Sequence, residues 1–186
     1  MWSGQPNEAL VREVANLTEG TALDVGCGEG ADAIWLAQQG WAVDALDVSA
    51  KALARAEQHA AQEGVDVTWL HHGLEDLPAD TAYDLVSAFY PALMRADGSV
   101  IDTLLDVVAE GGTLLVVHHA HVDRALALEH GFDPDDYVRH EDVLAALSPT
   151  DWTIEQAGES ARTAPQGPGA HHHTDLVLRA IRKMSA

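Results

Sequence analysis

The chain reads as one doubly wound α/β domain: a seven-stranded, mostly parallel sheet with an antiparallel last strand. Three features of the sequence lead there. Short apolar runs alternate with amphipathic stretches from Thr21 to His118, the pattern of strands and crossover helices in a sheet covered on both faces. The first apolar run opens directly into a glycine turn, Gly26-Cys27-Gly28-Glu29-Gly30. The last two apolar runs have no helical stretch between them, which is the mark of an antiparallel hairpin at the sheet edge.

Thr21–Gly26 (TALDVG) is a buried strand ending at a glycine, and Ala31–Gln39 is a helix closed by Gly40. Trp41–Asp47 is the second strand. The next helix runs from about Ala50 to Glu63, with Ser49 as its N-cap and Gly64 as its terminator. Val65–His71 and Ala82–Phe89 follow as strands, then a helix at Ile101–Ala109 and a fifth strand at Gly112–His118 after a Gly111-Gly112 break. Two short helical stretches, near Val122–Glu129 and Glu141–Leu147, lead to strands at Trp152–Ala157 and Thr174–Ile181. Between these strands Thr163–His173 (TAPQGPGAHHH) is a loop broken by Pro165, Gly167, Pro168 and Gly169.

The 186 residues suit a single domain over 1–186, and 47% hydrophobic composition is enough for a core. No stretch approaches the roughly 20 apolar residues of a membrane span. Met1–Gly20 lacks the basic start and apolar run of a secretory signal. One cysteine, Cys27, allows no internal disulfide and fits a reducing cytoplasm. Ten Lys and Arg against 30 Asp and Glu give a net charge of −20, with cations clustered only at Arg179, Arg182 and Lys183. Neither nucleic acid nor an anionic membrane is expected as a partner, since both need gathered cations. A monomer is the default, with a homodimer open.

In doubly wound sheets ligands bind beyond the carboxyl ends of the strands, where strand order reverses. The glycines after the first strand allow a sharp turn and close ligand approach, and the following helix turns its free N–H groups toward that space. By spacing alone Gly26, Gly28 and Ala31 also satisfy the dinucleotide fingerprint G-x-G-x-x-G/A. Asp47 ends the second strand 21 residues after Gly26 and suits the hydroxyls of an adenosine ribose, in NAD or in S-adenosylmethionine (SAM) alike. Ser49 is better placed than Asp47 to cap the next helix. Asp24 would repel a pyrophosphate but suits an ammonium and a sulfonium; its other reading is a structural acid that accepts loop N–H groups. On electrostatic grounds SAM is favoured.

Leu23–Ala56 (LDVGCGEGADAIWLAQQGWAVDALDVSAKALARA) resembles the first motifs of class I SAM-dependent methyltransferases, nearest to the small tellurite-resistance-type and thiopurine-methyltransferase-like bacterial branch. Tyr83–Ser87, Ala109–Leu115 and His173–Ala180 extend the resemblance over most of the chain. It implies a Rossmann-like methyltransferase domain with SAM as cofactor. Asp24, Gly26, Cys27 and Gly28 would line its methionine part, Asp47 would hold the ribose, and Val48 would pack on adenine. Gly73 stands where the family has an acid, leaving adenine to the Leu74 N–H and to Glu75. Ser87, Ala88 and Phe89, after the fourth strand, would close the pocket. Trp2–Asn7 resembles the tail of the family's N-terminal segment, so residues 1–20 would be a helix and lid remnant.

Methyl transfer from a sulfonium needs an in-line nucleophile and a base only where the acceptor starts protonated. Phe89-Tyr90-Pro91-Ala92 departs from the NPPY tetrapeptide and argues against the adenine and glutamine N-methylating branches. Of the eleven histidines, eight fall into three groups: His71-His72, His118-His119 with His121, and His171–His173. The catalytic candidates are His118 and His119, at the acceptor side of the fold; His171–His173 reads as a compositional tract. Trp2, Tyr90 and Arg162 are candidates for contact with the substrate. Cys27 has a helix N-terminus beside it, which lowers a thiol pKa, but small residues are routine packing there. No metal is assigned. The expected function is methyl transfer to a small molecule, with thiols, metalloid oxyanions, amines and hydroxyls open as acceptors. The alternatives are a non-catalytic SAM- or nucleotide-binding protein and an NAD-dependent oxidoreductase.

Overall fold

Alternate apolar residues build the two faces of one sheet. The computed structural model describes residues 4–95, 98–161 and 174–185; Trp2, Arg162 and His171–His173 therefore lie outside the described residues, as does the loop expected at 163–173. The strands are β1 (Thr21–Val25), β2 (Ala42–Leu46), β3 (Thr68–Leu70), β4 (Tyr83–Phe89), β5 (Val108–His119), β6 (Trp152–Ala161) and β7 (Thr174–Arg182). Their order is β3-β2-β1-β4-β5-β7-β6. The first five are parallel, and β7 lies between β5 and β6, antiparallel to both. This is the expected doubly wound sheet with its last strand reversed.

The helices are α1 (Glu8–Val14), α2 (Ala31–Gln38), α3 (Ala50–Glu63), α4 (Ser99–Asp106), α5 (Arg124–Glu129) and α6 (His140–Ala146). On β1, Leu23 and Val25 join the core under α4 and α6, with Leu104 and Val143. Ala22 joins the core under α1 and α2, with Leu10 and Leu36. Asp24 shares the Ala22 side by the two-residue alternation of a strand, so an acid enters the α2 face beside the glycine turn. Ser49 caps α3 as expected, its hydroxyl accepting the Ala52 N–H at 3.3 Å, and Gly64 ends the helix with φ +69°. Among the described residues no helix is long and apolar enough to cross a membrane.

The boundaries of β3, α4 and β5 differ from the sequence reading, and β6 runs to Ala161, past the expected Ala157. The strand expected over Val65–His71 keeps only three residues, because β3 is an edge that pairs with β2 from Asp44 to Leu46 alone. The helix expected at Ile101–Ala109 ends at Asp106, and β5 starts at Val108. Gly111 and Gly112 therefore lie inside β5, at an irregularity in its pairing with β4. Gly111 takes φ +77°, and a Cβ on Gly112 would stand 2.8 Å from the Ala109 carbonyl oxygen, so the glycines serve a bulge.

Arg182 closes this region: its Nη1 lies 3.4, 3.1 and 2.7 Å from the carbonyl oxygens of Leu105, Asp106 and Val108. It satisfies carbonyls that the end of α4 leaves open. Arg182→Ala is expected to lower stability by about 1.5 kcal/mol, the low end for hydrogen bonds to a charged group. A urea midpoint that falls at unchanged slope would show it.

Candidate functional site

Sheet order reverses between β1 and β4, so their outgoing connections diverge and open a crevice beyond the carboxyl ends. The loop after β1 is tied down by its own backbone. Gly26 and Cys27 N–H both donate to the Leu46 carbonyl, at 2.9 and 3.0 Å, and Gly30 N–H donates to the Cys27 carbonyl at 2.9 Å. Gly26 and Gly28 have φ +73° and +57°, and a Cβ added to either would meet nothing within 4 Å. They form a cradle open to a ligand. Gly30 differs: its Cβ would meet Trp69 at 2.7 Å and Ala56 at 2.9 Å, so it lets α2 approach β3 and α3 closely.

Asp47, just past β2, locks the cradle to the second strand. Its Oδ2 accepts the Gly28 N–H at 2.8 Å and its Oδ1 the Ser49 N–H at 2.8 Å. Val48 beside it is 75% exposed, an apolar side chain uncovered at the crevice edge. Beyond β3 the Leu74 side chain is buried in the core, at the start of a 3₁₀ turn, Leu74–Asp76. A Cβ on Gly73 would stand 2.9 Å from Glu75 Oε2, so the Glu75 carboxylate folds against the position where the family's acid is missing.

Asp24 is 2% exposed. Its Oδ1 accepts the Ser87 hydroxyl at 3.2 Å, while its Oδ2 is buried with no hydrogen-bond partner among the described residues. Burial and then repulsion from Asp32 hold the Asp24 carboxyl well above its ordinary range, with Ser87 and the Ala33 N–H opposing. Asp32, in the first turn of α2, is pushed up to about 6 by burial, against the lowering effect of the Asn7 N–H that it accepts at 2.6 Å. An orphaned acid oxygen beside an open glycine cradle fits a cationic ligand such as a sulfonium with its ammonium. These two acids are protonated at low pH, so a sulfonium cofactor is expected to bind more tightly as pH rises through about 6, releasing a proton. The ligand-free protein has the opposite slope. A carboxyl raised from 3.8 to about 6 binds its proton better when folded, so its contribution to stability falls as pH rises across that window. Calorimetry from pH 5 to 7.5 in two buffers checks this, with Asp32→Asn expected to flatten the profile.

Two expectations need correction. Ser87, Ala88 and Phe89 do not follow the fourth strand but end it. Ser87 and Ala88 are fully buried, the first holding Asp24 and the second in the core; Phe89 packs on the α2 side. Tyr90 is the first residue past the strand. The helix N-terminus does not lower the Cys27 thiol either: burial, then the charges of Asp24 and Asp47, push it far up, which leaves a packing role.

A second hollow, of about 560 Å³, opens at the carboxyl ends of β4 and β5. Tyr90, His118, His119, Leu126, Phe132 and His140 are among its walls. Its arginines are already matched: Arg124 bonds Asp133 and Asp135 at 2.8 and 2.9 Å, and Arg139 lies 3.2 Å from Glu141. His118 Nε2 donates to the Val138 carbonyl at 3.2 Å. Burial, then repulsion from His140, lowers its pKa to about 4, so it is neutral and weakly basic. His119 is half-buried and stacks on Tyr90, with ring centroids 4.1 Å apart. Asn7 joins hollow and cradle, since its N–H donates to Asp32 and its side-chain amide to the Tyr90 hydroxyl at 3.2 Å. Among the described residues no group of three or more His, Cys, Asp or Glu is placed to hold a metal ion.

Sequence reading missed Asp32, because an acid in a first helical turn is ordinary. It also missed Asp175, which approaches His119 only through the antiparallel pairing of β7 with β5.

Residues 22–112 match the family described as a methyltransferase domain. Over 111 residues the chain is 34% identical to a ubiquinone biosynthesis O-methyltransferase of Caulobacter vibrioides, covering 58% of this chain and 44% of that protein. Over 106 residues it is 36% identical to the tRNA 5-carboxymethoxyuridine methyltransferase of Escherichia coli, covering 53% and 40%. The chain thus spans less than half the length of these curated relatives. Among solved structures it resembles magnesium protoporphyrin IX methyltransferase from Synechocystis PCC 6803 with bound SAH, at a TM-score of 0.71 and 21% identity over 94% of this chain and 80% of that one. The names of these relatives do not single out the tellurite-resistance and thiopurine branch. The family match runs from β1 through the glycine cradle and Asp47 to the start of β5, so the crevice lies within the stretch that matches a methyltransferase domain.

Proposed function

We propose that the chain transfers a methyl group from SAM to the hydroxyl oxygen of a small, uncharged acceptor held in the 560 Å³ hollow, with His119 as general base. The observation that carries this reading is the place of His119: in the wall of the hollow, at the carboxyl end of β5. His118 is too weakly basic for the role, with a pKa near 4 and Nε2 engaged. The paired arginines leave no free cation for an anionic acceptor among the described lining residues. The name of the Caulobacter relative, an O-methyltransferase, supports oxygen as the acceptor atom.

Bound SAM supplies a methyl group on a sulfonium that departs as a neutral thioether. Gly26 and Gly28 would cradle the cofactor, Asp24 would face its positive charge, and Asp47 would accept its ribose hydroxyls. Tyr90 and the apolar wall orient the acceptor, and His119 takes the hydroxyl proton as oxygen attacks.

A screen of S-adenosylhomocysteine release with phenolic, thiol, amine, tellurite and tRNA acceptors tests the reading. Turnover with hydroxyl acceptors is expected. Turnover confined to tRNA or to tellurite, none with any class, or calorimetric binding of NAD in place of SAM would each overturn it.

A further inference from the structure

Two carboxylate oxygens of one buried residue link the groups around His119. Asp175, near the start of β7, is 4% exposed. Its Oδ2 accepts the Tyr90 hydroxyl at 2.9 Å, and its Oδ1 lies 3.8 Å from His119 Nδ1. The Tyr90 ring lies flat on the His119 imidazole, with planes 18° apart. Tyr90 itself stands at φ +49°, the one non-glycine residue with positive φ among those described. Its N–H continues the sheet by donating to the Val117 carbonyl at 2.8 Å, so the ladder holds the strained residue in place. A left-handed non-glycine residue is strained and persists where its surroundings over-determine it, often at functional sites.

Resting on the reading of His119 as base, we infer that Asp175 is a positioning residue: it holds the His119 proton on Nδ1 and leaves Nε2 open to the acceptor, while Tyr90 fixes which carboxylate oxygen faces the imidazole. A base oriented by a third group is the general logic of hydrogen-bonded catalytic relays. The strained turn is what brings the tyrosine ring under the imidazole and its hydroxyl to Asp175 at once. Asn7 adds the outer contact through the Tyr90 hydroxyl.

An isosteric substitution separates this role from a merely structural one. In Asp175→Asn the Tyr90 hydroxyl claims the amide oxygen and turns the NH₂ toward His119 Nδ1. The imidazole proton then moves to Nε2, the nitrogen that has to accept. In Asp175→Asn/Tyr90→Phe that claim is gone, the amide can present its oxygen, and the Nδ1–H form returns. Nitrogen-15 NMR of the cofactor-free protein reads the tautomer directly, and Tyr90→Phe alone is expected to keep the Nδ1–H form. With a hydroxyl acceptor, kcat in Asp175→Asn should fall at least about tenfold, a part of the 10²–10⁴-fold a positioned base contributes, with SAM affinity unchanged. An Nδ1–H form that survives in Asp175→Asn, or an Nε2–H form that the added Tyr90→Phe does not reverse, overturns the inference. Wild-type protein inactive on every hydroxyl acceptor overturns the proposed function instead, and the tautomer still decides the role of Asp175.

Discussion

Replacing His119 by alanine is expected to lower kcat for a hydroxyl acceptor by roughly 10²–10⁴-fold, the range contributed by a positioned general base. SAM affinity should be unchanged, because the residues assigned to the cofactor lie in the cradle around Gly26, Gly28 and Asp47, and His119 lines the other hollow. Single-turnover rates with saturating cofactor separate the two quantities. His118→Ala supplies the contrast. His118 is neutral, depressed to about 4, and bonded to Val138, so its removal should cost stability through an unsatisfied carbonyl and lost packing more than it costs kcat. Raising the pH of the assay toward the pKa of a phenolic acceptor should partly restore His119→Ala, since an acceptor already ionised needs no base. Equal losses in the two variants, or a His119→Ala enzyme with full kcat, would remove the base assignment.

Local sequence carried the half of the molecule that local rules govern. Thr21–Gly30 is legible because a buried strand, alternate glycines and a helical period follow within a few residues, and the loop conformation depends mainly on those glycines. Asp47 is legible because one strand–helix–strand unit places it in register with the loop. Ser49 and Gly64 are legible because caps are read from neighbours along the chain. The acceptor side is different. His119 meets Asp175 only because β7 inserts between β5 and β6, and 56 residues separate the two in sequence. Asp32 turns from a routine helix-start acid into a partner of Asp24 only when α2 is laid over β1. The Gly111-Gly112 pair read as a break because glycine marks turns and bulges alike, and only pairing with β4 decides between them.

Asp47→Ala is expected to weaken SAM binding by about 2–3 kcal/mol, roughly a hundredfold in Kd, from hydrogen bonds to a charged group. Two losses add. The carboxylate proposed to accept the ribose hydroxyls goes, and with it the acceptor of the Gly28 and Ser49 N–H groups, each at 2.8 Å. The Gly28 N–H is then left without its carboxylate in a loop whose φ of +57° is held by that contact and by the short bonds to Leu46, so the cradle loosens as well. Asp47→Asn keeps one acceptor oxygen and should fall between wild type and alanine. Asp44→Ala is the control for a generic lost acid on the same strand: Asp44 accepts the Tyr83 hydroxyl at 2.7 Å toward the other end of the strands, where β4 begins, so its removal should lower stability and leave Kd alone. Titration calorimetry with SAM and S-adenosylhomocysteine resolves the series, and the two ligands should lose affinity alike because they share the ribose. A Kd indifferent to Asp47→Ala would mean that the sugar is held elsewhere and that this carboxylate serves only to brace the glycine loop.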